Sequence, residues 1–249
     1  MICWAPGTGS ENEPMRVAIH QPNYAPWCGY FAKMNHCDVF VFLDNVQMPG
    51  GQSYVYRTAI RGGSEAKWLS IPTRYHLGDS IDEVGFAVAD WPRRHEGALR
   101  GAYARSPCFR EVWESIEPVY ADPGANLAEF NMRLIRTIAG YLGLACRFEA
   151  SSTVQPDGQG DDRLISLVRK VGGDVYISGK GGQNYQDPAK FAEAGIELRV
   201  HTYNPVPYRQ AQGEFVAGLS ILDALFNLGP EAASLLVYEG AQPLVSTNL

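Results

Sequence analysis

The chain has 249 residues, of which 45% are hydrophobic, and carries a formal net charge of −6. That length and apolar content suit one well-packed domain. The acidic balance argues against a nucleic-acid-binding protein, and no apolar run reaches the roughly 20 residues of a membrane-spanning helix.

The N-terminal residues 1–14 predict a disordered extension, because they are rich in Gly, Pro, Ser, Glu and Asn and show no periodicity. They also lack the basic region and the continuous apolar core of a signal peptide. We therefore expect a cytoplasmic protein whose single domain covers residues 15–249.

The five cysteines show no metal-binding spacing. The absence of a Cys-x-x-Cys pair makes a structural zinc site unexpected, and the odd count suits reduced thiols. We expect no metal, and no sequence pattern identifies a cofactor.

The stretch from residue 15 to residue 47 predicts a strand, a polar loop, a short helix and a second strand. Its apolar runs are residues 17–19 (VAI) and 39–43 (VFVFL), and an aromatic segment at 27–34 lies between them. In such a unit, residues that follow the carboxyl ends of the strands line a ligand crevice. The polar residues placed this way are His20, Gln21, Asn23, Asp44, Asn45 and Gln47. We predict that they are catalytic or substrate-binding, together with the aromatic residues Tyr24 and Trp27.

The rest of the chain alternates strands with helices. Strands are predicted at residues 52–57, 67–72, 146–150, 175–177 and 197–201. Helices are predicted at 95–103, 109–120, 126–144, 161–171, 188–194 and 215–228, so that residues 73–142 form a mostly helical insert or cap. This order predicts an α/β protein with a Rossmann-like three-layer fold and a mainly parallel sheet.

His20 is the predicted acid/base. An imidazole at a strand's end could act as general base, general acid or phosphate ligand, because its ordinary pKa lies near neutrality. The alternative is a buried histidine that is hydrogen-bonded to the backbone. Asp44 could orient His20, bind a sugar hydroxyl or hold a metal, or it could cap the following turn.

The glycine-rich segment at residues 178–182 (SGKGG) predicts an anion-binding loop. Its glycines allow backbone N–H groups to converge on an anion, and its lysine adds positive charge. The spacing is not that of a Walker A loop, and a tight turn with an exposed lysine is the alternative. The substrate-binding residues predicted here are Ser178, Gly179, Lys180, Gly181, Gly182 and Asn184.

Cys28 and Arg57 are further candidates. Cys28 lies at a predicted helix N-terminus, where a thiol pKa can be lowered, so a nucleophilic pair with His20 is one reading. A small buried residue among aromatics is the other. Arg57 could pair with Asp44 or with a substrate phosphate, or it could be an ordinary edge-strand arginine.

Short motifs spread from residue 15 to residue 229 resemble the WbqC-like family. They lie at residues 19–24 (IHQPNY), 26–27, 29–31, 41–47 (VFLDNVQ), 68–69, 72, 176–179, 219–223, 226–227 and 229. The resemblance implies a biosynthetic enzyme of surface-polysaccharide or natural-product pathways. It points to a transferase for an acyl, aminoacyl or sugar-linked substrate, supplied as a carrier-protein thioester or a nucleotide sugar.

A weaker likeness is to nucleotidylyltransferases with an H-x-G-H tetrad. The equivalent residues 27–30 (WCGY) lack both histidines. The alternatives to a transferase are therefore a nucleotidylyltransferase-like enzyme and a non-catalytic ligand-binding or scaffold protein of the same pathway.

Overall fold

The computed structural model describes residues 13–211, 213–237 and 242–243, so most of the predicted N-terminal extension lies outside the described residues. The first half contains β1 (Arg16–His20), α1 (Cys28–Met34), β2 (Val39–Phe42), β3 (Arg57–Gly62), β4 (Glu65–Ser70), β5 (Thr73–Arg74), β6 (Gly85–Phe86), α2 (Trp91–Tyr103), α3 (Phe109–Ala121) and α4 (Leu127–Tyr141). The second half contains β7 (Arg147–Ala150), α5 (Ser151–Val154), α6 (Gly160–Lys170), β8 (Val175–Gly179), α7 (Pro188–Glu193), β9 (Glu197–His201), α8 (Ile221–Leu228) and β10 (Gln242–Pro243). Short 3₁₀ helices occur at Ile81–Glu83, Lys180–Asn184 and Gly229–Leu235.

The central sheet has the strand order β10-β9-β8-β1-β2-β7. Its strands from β9 to β7 run parallel, and β10 joins the edge in antiparallel orientation. From β1 the chain builds the sheet first through β2 and β7, and then returns to add β8 and β9 on the other side. The strand order therefore reverses between β1 and β8, which is where open α/β sheets bind ligands.

Helices cover both faces of the sheet. Along β1, Val17 and Ile19 face a core formed with α6 and α7, whereas Ala18 faces a larger core formed with α1, α2, α3, α4 and α8. Burial on both faces explains why these strands read as continuous apolar runs. The Rossmann-like three-layer prediction is confirmed. No helix of the described residues is both long enough and apolar enough to cross a membrane.

The strand predicted at residues 52–57 is wrong, because strand β3 begins only at Arg57. The hydroxyl of Ser53 accepts a hydrogen bond from the Val55 amide at 3.1 Å, and the carbonyl of Tyr54 accepts one from the Tyr24 amide at 3.0 Å. A local turn therefore uses the groups that a strand would pair. A turn at Gly63 and Ser64 joins β3 to β4.

The helix predicted at residues 215–228 is shorter than expected, because α8 begins at Ile221. Gly218 has a φ of 75°, and the Ser220 amide donates to the Ala59 carbonyl at 2.7 Å. Ser220 then caps the helix by accepting from the Leu222 amide at 3.2 Å. The preceding residues are held by β3 instead of continuing the helix.

Candidate functional site

A cavity of about 640 Å³, called here the larger cavity, opens at the carboxyl ends of β1, β2 and β8. It lies at the point where the strand order reverses, as the fold predicts for a ligand site. Residues predicted from the sequence that line it are His20, Gln21, Ser178, Gly179, Gly181 and Gly182. The structure thus brings the end of β1 and the segment after β8 to one site.

His20 is half-buried at the end of β1, and its Nδ1 lies 3.1 Å from the Gln21 carbonyl. A carbonyl can only accept, so Nδ1 carries the proton and Nε2 keeps its lone pair. The ring meets Tyr30 edge-on at 4.7 Å between centroids. Burial, together with the neighbouring Lys33 ammonium, lowers the pKa of His20 to about 3. His20 is therefore neutral near pH 7 and offers a hydrogen-bond acceptor.

Lys33 of α1 also lines the larger cavity, and the sequence prediction missed it. Its Nζ donates to the Ile19 carbonyl at 3.0 Å, and burial lowers the pKa of this amine to about 7. Lys33 is the one lysine in an otherwise apolar helix, four residues after Gly29 on the same helical face. That pattern is the signal that could have identified it.

The glycine-rich segment forms a 3₁₀ helix over Lys180–Asn184. Before it, the Ser178 hydroxyl donates to Gln186 Oε1 at 2.7 Å. A Cβ on Gly182 would lie 2.6 Å from that same Oε1, so position 182 requires glycine for packing. Gly181 and Gly182 line the larger cavity, but Lys180 faces a neighbouring cavity. The glycines and the lysine of the predicted anion-binding loop therefore face two different cavities. That the loop binds an anion stays a prediction.

The start of α6 adds two charged residues that the sequence prediction also missed, Asp161 and Arg163. Arg163 donates to the backbone carbonyl of Asn45 at 3.1 Å and to its side-chain oxygen. Asn45, predicted to bind substrate, therefore holds a guanidinium at the edge of the cavity. Asp161 accepts from the Asp187 amide at 2.9 Å.

A smaller cavity of about 120 Å³ adjoins the larger one. His20, Lys33 and Gly179 line both, so these residues form the boundary between them. Trp27, which was predicted to bind substrate, also lines the smaller cavity, as does His201, which was not predicted. His201 ends β9 as His20 ends β1, and a histidine at that position is a signal the sequence contained.

The predicted pairing of Asp44 with His20 is wrong. Asp44 is buried, and its two carboxylate oxygens accept from Ser152, one from the amide at 2.9 Å and one from the hydroxyl at 2.5 Å. Because β7 lies beside β2, the start of α5 comes next to the end of β2. Asp44 therefore caps the start of α5. This agrees with the alternative that Asp44 has a structural capping role, although it caps a helix far along the chain and not the turn that follows it.

Of the two readings of Cys28, the structure agrees with the small buried residue and not with a lowered thiol pKa. Cys28 begins α1, but it is buried next to Tyr203, and burial raises the pKa of its thiol to about 12. It lines a narrow cleft with Tyr203 and Tyr208 instead of the larger cavity. At rest the thiol is protonated and unsuited to nucleophilic attack.

Several other predicted substrate ligands lie away from the two cavities. Tyr24 is in the core, where its hydroxyl lies 2.8 Å from His95 Nδ1. The guanidinium of Arg57 lies 3.9 Å from the centre of the Trp68 ring. Arg57 forms no ion pair with Asp44 and lines neither cavity. Asn23 is buried, whereas Gln47 and Asn184 are exposed, and none of them is among the described residues that line the cavities. Among the described residues no three His, Cys, Asp or Glu side chains cluster as metal ligands.

Comparisons with known proteins agree on a family. The model of the WbqC-like protein family matches residues 21–235. The uncharacterized protein Rv1507c of Mycobacterium tuberculosis (strain ATCC 25618 / H37Rv) is 31% identical over 229 residues, which cover 90% of this chain and 98% of that protein. No solved structure matches the chain. The matched range contains Lys33, Arg163 and the glycine-rich segment. The extent of the match shows that the chain belongs to the WbqC-like protein family.

Proposed function

We propose that the protein is a cytoplasmic biosynthetic transferase that moves an acyl, aminoacyl or sugar-linked group from an activated donor to an acceptor. The pathway would be one of surface-polysaccharide or natural-product biosynthesis. One observation carries the proposal: His20 and Lys33 line the larger cavity at the strand-order reversal together with Gly181 and Gly182 of the segment after β8. Such sites hold small-molecule ligands in open α/β folds.

The chemistry of transfer to an amine or hydroxyl needs a base for the nucleophile and donors for the developing oxyanion. The amine of Lys33, with a pKa lowered to about 7, exchanges a proton near neutrality. His20 would accept a hydrogen bond from the incoming nucleophile through Nε2. Its pKa of about 3 makes it a weak base by itself, and a negative charge on a bound substrate would raise that pKa.

Ligand binding without turnover is the second candidate. The low pKa of His20 favours it, because an efficient general base has a pKa near the working pH. In this alternative His20 and Lys33 would orient a ligand for another protein of the pathway. The nucleotidylyltransferase alternative gains no corresponding observation, since residues 27–30 still lack both histidines of the tetrad.

A turnover assay separates these candidates. Purified protein is incubated with amino-sugar nucleotides and acyl or aminoacyl thioesters, and products are detected by mass spectrometry. We expect His20→Ala and His20→Asn to lower turnover by about 10²–10⁴ with little change in melting temperature. His76→Ala is the matched control, because the His76 side chain is 94% exposed.

The assay also has a result against the proposal. A fully active His20→Asn would remove His20 from the chemistry. Saturable binding of both substrates by the wild-type protein, with no product formed, would favour the ligand-binding candidate instead.

A further inference from the structure

The smaller cavity differs in charge from the larger one. Its basic side chains are Lys33, Lys180, His20 and His201, and none of the described residues that line it carries a carboxylate. These groups come from the ends of β1, β8 and β9 and from α1, so the fold collects them from separate parts of the chain. The larger cavity, by contrast, includes the carboxylate of Asp161.

The basic groups of the smaller cavity disfavour one another's charged forms. Burial lowers the pKa of His201 to about 4, and Lys33 and His36 lower it further by their positive charge. Lys33 acts on His20 in the same direction. An anion bound among these groups would stabilise their protonated forms and raise their pKa values, since an opposite charge within a few ångströms favours the charged form.

The wall of the smaller cavity is aromatic. Trp27 lies over Gly29 so closely that a Cβ at position 29 would come 2.6 Å from the indole ring. Tyr203 meets the indole edge-on at 5.4 Å between centroids. Trp27 is nevertheless 38% exposed, so part of its surface is available to a ring at the rim.

We infer that the smaller cavity binds the phosphate or carboxylate group of a substrate, with Lys33 and Lys180 as the cationic ligands and Trp27 as a packing surface for the attached ring. His20, Lys33 and Gly179 line both cavities, so this anionic group adjoins a ligand in the larger cavity. The inference concerns binding alone. It holds whether or not the protein catalyses the proposed transfer.

Titration calorimetry of the full chain with inorganic phosphate and with acetate tests the site. We expect one saturable site, which Lys180→Ala weakens about tenfold or more, as the loss of a charged ligand does. Lys180 is exposed, so this substitution leaves the fold intact. Lys67→Ala removes an exposed lysine of β4 and is the matched control, with unchanged affinity expected.

Arg163→Ala shows in which cavity the anion binds, because Arg163 lines the larger cavity and not the smaller one. We expect this substitution to leave the affinity for the anion unchanged. Tighter binding of phosphate or of acetate identifies the group, and either supports the site. The inference is overturned if neither anion saturates, if Lys67→Ala weakens binding as much as Lys180→Ala does, or if Arg163→Ala weakens binding and Lys180→Ala does not.

Glucose 1-phosphate tests the aromatic wall. Trp27→Ala should weaken this ligand about tenfold, because the sugar ring loses the indole surface against which it packs, while the affinity for inorganic phosphate stays the same. Equal affinities of Trp27→Ala and wild type for glucose 1-phosphate would overturn the role of Trp27.

Discussion

His20 at the cavity boundary and His95 in the core show how similar residues come to differ in role. His95 uses both ring nitrogens: Nε2 donates to the Ser70 carbonyl at 3.0 Å, and Nδ1 accepts from the Tyr24 hydroxyl at 2.8 Å. His20 uses Nδ1 for the Gln21 carbonyl, and its Nε2 has no protein partner among the described residues. Burial lowers both pKa values, to about 3 for His20 and about 4 for His95.

A lowered pKa therefore does not by itself identify a functional histidine. The core network is complete, since the Tyr120 hydroxyl lies 2.9 Å from the Tyr24 hydroxyl and extends the chain of hydrogen bonds. A completed buried network stabilises one structure, whereas a polar atom left at a cavity is available to a ligand. This is why Tyr24, predicted to bind substrate, is instead part of the core.

The largest expected effect is on the stability of the core network. His95→Ala should lower the free energy of unfolding by about 3–5 kcal/mol, because it leaves a cavity in the core and takes one hydrogen bond from the buried Tyr24 hydroxyl and one from the Ser70 carbonyl. His20→Ala should cost less than about 1 kcal/mol, since the Tyr30 hydroxyl still donates to the Gln21 carbonyl. Urea unfolding measures both, and equal losses would contradict the distinction between the two regions.

Lys33 should show the cost of a buried amine at the site. Lys33→Met should stabilise the protein by about 1–4 kcal/mol at pH 6, as replacement of a buried charge by an apolar side chain often does. The folded chain releases the Lys33 proton above about pH 7, whereas the unfolded chain keeps it up to the ordinary pKa of 10.5. Wild-type stability therefore rises with pH in that window, and the advantage of Lys33→Met shrinks by about 1.4 kcal/mol per pH unit.

Unfolding of Lys33→Met and wild type at several pH values between 6 and 10 checks this slope. Lys67→Met, on the exposed side of β4, should show a constant difference from wild type. A constant difference for Lys33→Met as well would mean that its pKa is ordinary.

Acid sensitivity at His20 should be smaller. The folded pKa of about 3 lies below the ordinary 6.5, so the unfolded chain binds this proton first and stability is lost as the pH falls below 6.5. His20→Asn removes this loss and should be less destabilised by acid than wild type by about 1 kcal/mol at pH 5.5. Parallel pH profiles of the two proteins would show that His20 titrates normally.

The smallest effect is expected at Cys28. Its thiol, with a pKa raised to about 12 by burial, is protonated at neutral pH, so Cys28→Ala should keep most of the wild-type turnover. Mass spectrometry of the protein during turnover provides the opposing evidence. A covalent substrate adduct on Cys28, together with an inactive Cys28→Ala, would move the reactive centre from the cavity to the thiol.

Local sequence determined the sheet and part of the site. Apolar runs of strand length predicted β1, β2, β8 and β9. His20, Gln21 and residues 178–182 lie at the two cavities because the carboxyl ends of parallel strands share one edge of a sheet, whereas Asn23, Tyr24 and Asn184 do not. His20 and the 178–182 segment could be identified in this way. The strand prediction at 52–57 is wrong because the Val55 amide donates to the Ser53 hydroxyl in a local turn, although the sequence alternates as in a strand.

Only the tertiary structure decided which side chains meet. Asp44 is hydrogen-bonded to Ser152, 108 residues away in the sequence. Tyr24 is hydrogen-bonded to His95, 71 residues away. Lys33 stands out in the sequence as the one lysine of an otherwise apolar helix, but only the packing of α1 over β1 brings it to the Ile19 carbonyl and the cavity. Periodicity reports which face of an element is buried, but the partners and pKa values of its polar groups depend on the elements that pack against that face.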